Sequence, residues 1–98
     1  MLVNEQSLVL HETIFQLGFN SVEDFAIEKA KETLLKEVAN CTQRMSFFSN
    51  KYGIDYAEFC KNFHSLPQPV FEKEEDSADW NAELKHLDIL MNRLSKLS

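Results

Sequence analysis

Glycine and proline are scarce in this chain, with two of each among 98 residues. Strand-and-turn proteins need many such residues at their tight turns, so the scarcity favours helices over a β-sandwich. Hydrophobic residues make up 44% and charged residues 27%, values typical of a chain that buries a core in water. The sequence therefore predicts an all-α fold, and its length favours a single domain over residues 1–98.

Cysteine is equally scarce. Cys41 and Cys60 fall at apolar positions of helical patterns, which favours reduced, buried thiols over a secreted disulfide framework. The first ten residues lack the basic start of a signal peptide, and no apolar run approaches the length of a membrane span. We therefore expect a cytoplasmic protein with no membrane contact.

Clusters of Lys and Arg are absent from a chain whose net charge is −6. Phosphate binding needs such clusters, so direct nucleic-acid binding is not expected. The excess of acidic residues is concentrated in one short segment in which Lys73 is the single cation. Its carboxylates are Glu72, Glu74, Glu75, Asp76 and Asp79. A basic protein is the natural electrostatic complement of this segment.

Helical periodicity is the strongest positive signal, and it is clearest over residues 22–51. Apolar residues there recur at intervals of three and four, at Val22, Ala26, Ala30, Leu34, Val38, Cys41, Met45 and Phe48. With Ser21 as N-cap and Gly53 just beyond the end, the stripe predicts one long amphipathic helix. A helix of about 30 residues spans about 45 Å, more than the roughly 30–35 Å diameter of a compact chain of this size. One end of the stripe is therefore expected to need a second chain.

The C-terminal segment carries a second stripe that can cover part of the first. Its members alternate by four and three: Trp80, Leu84, Leu87, Met91 and Leu94. We expect this helix to begin near Asp76 or Ser77, after an acidic connector over about residues 67–77, and to pack antiparallel against the second half of the long helix. The first half, with Val22, Phe25 and Ala26, is then left for a partner, and we expect a homodimer.

Two shorter segments complete a prediction of three to four helices. Residues 5–17 show helical spacing, although partial alternation also allows a strand. A capping box and a hydrophobic staple over residues 54–59 predict a sharp bend and a short helix from Tyr56 to Leu66. Pro67 disfavours a longer helix.

No pattern in the sequence identifies a reaction or a cofactor. Cys60 and His64 lie four residues apart, as in half of a metal site, but paired ligands that would complete a zinc site are missing. The aromatic residues from Phe47 to Phe63 are interpreted as core. We therefore expect no enzyme and no metal.

The acidic segment allows two interpretations, a solvated helix start or a docking surface. In the second, Phe71 and Trp80 are aromatic anchors and the neighbouring carboxylates form a charged rim. The partner-binding residues predicted here are Phe71, Glu72, Glu74, Glu75, Asp76 and Trp80.

A resemblance rests on three stretches, residues 17–25, 51–59 and 71–80, placed around a charged helix and before a Leu-rich one. This layout resembles small helical antitoxins of prokaryotic toxin–antitoxin pairs. The resemblance implies an intracellular helical protein that blocks a small basic toxin by direct contact. A self-assembling structural or adaptor dimer is the alternative, and a metal or Cys/His site protein is a third.

Overall fold

The computed structural model describes residues 2–98, and the side chains from Asn4 onward. Its elements are α1 (Leu2–Gln16), α2 (Val22–Tyr52), α3 (Tyr56–Lys61), a 3-10 turn (Phe63–Ser65) and α4 (Val70–Leu97). No strand occurs in these residues, so the all-α prediction is confirmed. Residues 5–17 lie almost wholly in α1, which excludes the strand interpretation for them.

The long helix α2 ends where its local signals predict. At its start, the Ser21 side chain accepts a hydrogen bond from the backbone N–H of Asp24 at 3.0 Å. At its far end, Gly53 adopts the left-handed conformation with φ 71°, and its N–H donates to the Ser49 carbonyl at 2.7 Å. A residue without a Cβ takes this conformation at little cost, so the chain can leave the helix here.

Helix α4 packs antiparallel against α2, as predicted. Polar pairs along the seam establish the direction, because Glu37 meets His86 while Lys51, fourteen residues later, meets Asp76. Midway, the Cys41 thiol is buried and donates to the Glu83 carbonyl at 3.1 Å. Leu90, which widens the predicted C-terminal stripe, is buried, whereas Met91, predicted on the stripe itself, is exposed.

The start of α4 differs from the prediction. The helix begins at Val70, so an acidic connector over residues 67–77 is wrong beyond Pro69. Carboxylates in the first turns of a helix are stabilised by its dipole, and here α2 supplies a cation as well, because Lys51 reaches both Glu72 and Asp76. The extended connector is confined to the few residues between Ser65 and Val70.

The short helix α3 confirms one part of the predicted capping box. The Asp55 side chain accepts from the backbone N–H of Glu58 at 2.8 Å. The Glu58 carboxylate does not return the bond; it accepts from the Asn62 side-chain amide at 3.2 Å. The α-helix ends at Lys61 rather than near Leu66, because a 3-10 turn follows it.

An aromatic core fills the end of the molecule where α2, α3 and α4 meet. Its buried members are Phe48, Tyr52, Phe59 and Trp80. Ring centroids of Phe48 and Trp80 are 5.6 Å apart and nearly parallel, and those of Phe59 and Trp80 are 5.4 Å apart. Trp80 is only 3% exposed, so the prediction that it anchors a partner is wrong. Its indole instead joins the three helices.

A buried lysine fastens the start of α4 to this core. Lys73 is 2% exposed, and its ammonium donates to the carbonyls of Phe63 at 2.5 Å and Leu66 at 3.1 Å. The same nitrogen lies 4.8 Å from the centroid of the Phe63 ring. These contacts satisfy carbonyls at the end of the 3-10 turn, where no further helical N–H follows.

The molecule is elongated, with principal extents of 66 × 26 × 18 Å and a Cα radius of gyration of 21.0 Å. A compact chain of this length has a radius of gyration of about 13 Å. Its accessible surface is 7259 Å², whereas a compact monomer of this mass exposes about 5,800 Å². Much apolar surface that a globular chain would bury is therefore left uncovered.

Candidate interaction surfaces

The predicted acidic docking residues point in two directions. Glu72 and Asp76 face α2, where both accept hydrogen bonds from Lys51. Phe71, Glu74 and Glu75 lie on the opposite side of α4 and are exposed, with Phe71 71% exposed. The predicted rim therefore divides into an inward pair that stabilises the fold and an outward group that is available to a partner.

Asp76 is the centre of the inward polar cluster. Its Oδ2 accepts from Lys51 Nζ and from the Tyr52 hydroxyl, both at 2.6 Å. Desolvation acts to raise the pKa of Asp76, but the bonds from Lys51 and Tyr52 outweigh it and hold this pKa below its usual value. Burial, followed by the bond to Asp76, raises the pKa of Tyr52 to about 12. At neutral pH the cluster is a charged clamp between α2 and α4.

Replacing Asp76 by Asn is expected to cost about 1–3 kcal/mol of unfolding free energy at pH 7, since bonds to a charged acceptor are lost. A lowered pKa favours the folded state above the pKa of Asp in the unfolded chain, about 3.9. That contribution disappears as the pH falls through the still lower pKa of folded Asp76. Urea unfolding of both proteins between pH 7 and pH 2 should therefore show their difference shrinking at the acid end.

Asp79→Asn is the matched control for this experiment, because Asp79 lies on the same helix and is exposed. It forms no ion pair within residues 4–98. We expect its stability to stay within about 0.5 kcal/mol of the parent. An Asp76→Asn protein that follows the control across the whole pH range would show that the clamp stabilises nothing.

A second polar cluster lies at the middle of the seam. Arg44 Nε donates to Glu83 at 2.7 Å, and its Nη2 donates to Glu37 at 3.1 Å. The bond from Arg44 is the main reason that the pKa of Glu83 is lowered, and bonds from Arg44 and then His86 lower the pKa of Glu37. These groups pair with one another and join α2 to α4 at the middle of the seam.

The thiols differ from the prediction in one respect. Cys41 is buried as expected, and burial raises its pKa to about 11. Cys60, predicted to be buried, is exposed, as is His64. Among the side chains of residues 4–98, no three His, Cys, Asp or Glu residues are grouped so that they could hold a metal ion.

At the other end of the molecule, the residues predicted as a dimer contact are only partly available. Val22 and Phe25 are half-buried, and Ala26 is exposed. The Phe25 ring stands edge-on to Phe19 with centroids 5.2 Å apart, and Lys29 Nζ lies 5.8 Å from its centroid. Phe25 thus packs within its own chain at the junction between α1 and α2.

Helix α1 carries an apolar surface that the sequence prediction missed. We call it the α1 surface: Leu8, Val9, Leu10, Phe15 and Leu17, which are 46–65% exposed. Ile14 alone among the described side chains of α1 is buried. The signal was present in the sequence, since residues 2–16 contain no Lys or Arg and only two carboxylates, Glu5 and Glu12.

An open groove runs beside the α2–α4 seam. It has a volume of about 560 Å³ and is lined by Gln43, Arg44, Phe47, Phe48, Asp79, Ala82 and Glu83. Phe47, predicted as part of the aromatic core, is 63% exposed here. Its position on α2 turns it away from Tyr52 and towards this groove, so the core prediction is wrong for Phe47.

Fold and surfaces together define a helical hairpin of α2 and α4, closed at one end by an aromatic core and extended at the other by an uncovered apolar helix. Within residues 2–98, no helix has the length and apolar character needed to cross a bilayer. Comparison with protein-family models, curated proteins and solved structures finds no match for this chain.

Proposed function

We propose that this chain is a non-enzymatic interaction protein whose α1 surface docks onto a protein partner. One observation carries the proposal: α1 exposes large apolar side chains on more than one side. Leu8 and Phe15 are seven residues apart and share one side, whereas Leu10 and Leu17 share the other. A helix with apolar residues around most of its circumference is normally buried by its surroundings.

The chemistry of α1 specifies the partner. Leu8 and Phe15, seven residues apart on one side of α1, fit an apolar groove, the arrangement in which a helix binds by laying one face into a cleft. Glu5 and Glu12 are the carboxylates of α1, and no cation accompanies them. A groove with a basic rim is therefore the best complement. The net charge of −6 also favours a basic partner, because it attracts such a protein at long range.

The most specific form of this proposal is neutralisation of a small basic toxin by direct contact. It is supported by the resemblance to helical antitoxins and by the acidity of the chain. A cytoplasmic location belongs to the proposal, because Cys41 and Cys60 are both free thiols.

Co-expression with the product of a small basic gene encoded beside this one tests the proposal. We expect that product to inhibit growth alone, to be tolerated with this chain, and to co-purify with it. The double substitution Leu8→Glu with Phe15→Glu should abolish both rescue and co-purification. Both side chains are exposed, so helix content and unfolding midpoint should be unchanged.

Leu35→Glu is the matched control, because Leu35 is similarly exposed at 58% but lies on α2. The control should rescue as well as the parent does. Absence of rescue and of co-purification by the parent would overturn toxin neutralisation. Rescue that survives the double substitution would overturn docking through α1.

A further inference from the structure

The side of α4 that faces away from α2 forms a continuous exposed face. Its central residues repeat with heptad spacing, at Phe71, Ala78, Ala82, Lys85, Ile89 and Lys96, and all are exposed. They lie opposite Trp80 and Leu90, which are buried. We call this surface the outer face of α4. Four of these six side chains are apolar, and apolar residues on a second side of a helix favour packing against a second neighbour.

Charge is segregated along this face. Its first half carries Glu74, Glu75 and Asp79, and its second half carries Lys85, Arg93 and Lys96, with one acid, Asp88, at its edge. All seven are exposed, and none forms an ion pair within residues 4–98. The charged groups at the α2–α4 seam contrast with them, because Arg44, Lys51 and their carboxylate partners are all paired.

We propose that the outer face of α4 binds the same face of a second copy of this chain, antiparallel, across a two-fold axis between Ala82 and Lys85. A two-fold contact is self-complementary, so a residue that meets a given partner residue is met by it in turn. In the antiparallel arrangement each acidic half lies on a basic half. In the parallel arrangement acid would lie on acid, which is unfavourable.

The register follows from the position of the axis. It places Phe71 opposite Lys96, Glu75 beside Arg93, and Ala78 opposite Ile89. The first pair allows a cation to lie on an aromatic ring, and the second is an Arg–carboxylate pair. Small side chains at Ala78 and Ala82 let the two helices approach closely at the centre, since interaxial distance depends on the side chains at the contact.

The amount of uncovered surface is sufficient for such a contact. The chain exposes roughly 1,500 Å² more than a compact monomer of its mass. A standard interface removes about 800 Å² from each partner. The groove beside Phe47 borders this face at Asp79 and Ala82, so a second copy seated there would cover exposed Phe47 as well. The α1 surface stays free in this arrangement and is available to the partner proposed above.

Sedimentation equilibrium of the full chain tests the proposal, with loading from about 1 to 100 µM. The expected mass at the upper end is twice 11.4 kDa. Two charge-reversed variants provide the specific test: a predominantly basic face from Glu74→Lys with Glu75→Lys, and a predominantly acidic face from Arg93→Glu with Lys96→Glu. Each variant alone should dimerise at least tenfold more weakly, because every substitution acts twice across the axis.

Mixing the two variants should restore a dimer containing one copy of each, since the acidic face of one then meets the basic face of the other. Lys36→Glu, an exposed reversal on α2, should leave the dimer unchanged. A parent chain that stays monomeric at 100 µM would overturn the proposal. A dimer that ignores both reversals, or variants that fail to pair when mixed, would place the contact elsewhere and overturn it equally.

Discussion

Trp80→Ala is expected to lower the free energy of unfolding by about 3–5 kcal/mol, the cost of removing a large aromatic side chain from a packed core. Trp80 is 3% exposed and has four aromatic neighbours, with ring centroids 5.3–6.3 Å away: Phe48, Tyr52, Tyr56 and Phe59. A domain of this size has a total stability of only about 5–15 kcal/mol. The variant should therefore lose a large part of its total free energy of unfolding.

Urea unfolding followed by far-ultraviolet circular dichroism is the suitable measurement. Trp80 is the single tryptophan, so its removal also removes the fluorescence signal. Leu35→Ala is the control, because Leu35 is 58% exposed on α2 and lies outside both proposed interaction surfaces; we expect a change within about 0.5 kcal/mol. If Trp80→Ala keeps its stability but loses a binding partner, the indole is a docking group and its assignment to the core is wrong.

Lys73→Met should cost about 2–3 kcal/mol of unfolding free energy. The substitution keeps the apolar stem and removes the ammonium that binds the carbonyls of Phe63 and Leu66. Two carbonyls in a region from which Lys73 excludes water would then lack donors, and bonds to a charged donor are among the stronger ones. The cation over the Phe63 ring is lost at the same time.

The loss at Lys73 should be localised as well as large. Amide hydrogen exchange should speed up in residues 63–76, because the 3-10 turn and the first turns of α4 are joined through this side chain. Lys36→Met, an exposed change on α2 outside the proposed interfaces, should leave both stability and exchange nearly unaltered. A more stable Lys73→Met protein would show that desolvating the ammonium costs more than its bonds return.

Features with local causes were predictable from the sequence. Ser21 and Gly53 delimit α2 because an N-cap hydroxyl and a left-handed glycine act within one turn of the chain. Asp55 was predictable for the same reason. The antiparallel packing of α2 on α4 followed from two heptad stripes of similar spacing, since matching apolar stripes are buried against each other.

Features that depend on distant parts of the chain were not predictable in this way. Five carboxylates in eight residues suggested a solvated connector, but Lys51 neutralises two of them from a different helix. In the sequence, Lys73 is the one cation among the neighbouring carboxylates and was expected to offset their charge. Its partners are instead backbone carbonyls, which no residue type in the sequence indicates.

The candidate site shows the same division. Phe71, Glu74 and Glu75 were predicted for an interface and are exposed, but Trp80 in the same short segment is buried. Periodicity places residues on opposite sides of a helix, and only packing decides which side meets the core. The α1 surface escaped prediction because the spacing of residues 5–17 indicated a helix without indicating what its apolar residues would contact.

The aromatic core lies at one end of the molecule, so the two ends of α2 are expected to differ in their stability against local unfolding. Its C-terminal turns support the aromatic core, with Phe48 and Tyr52 buried, whereas Ala26 and Ala30 near its start are exposed. Protection of backbone amides follows the contacts that must break before a segment opens. We expect the start of α2 to fray together with α1 while its last four turns open only when the whole chain unfolds. One continuous helix would then belong to two cooperative units, and a partner that orders the N-terminal unit would extend protection along α2 from a distance.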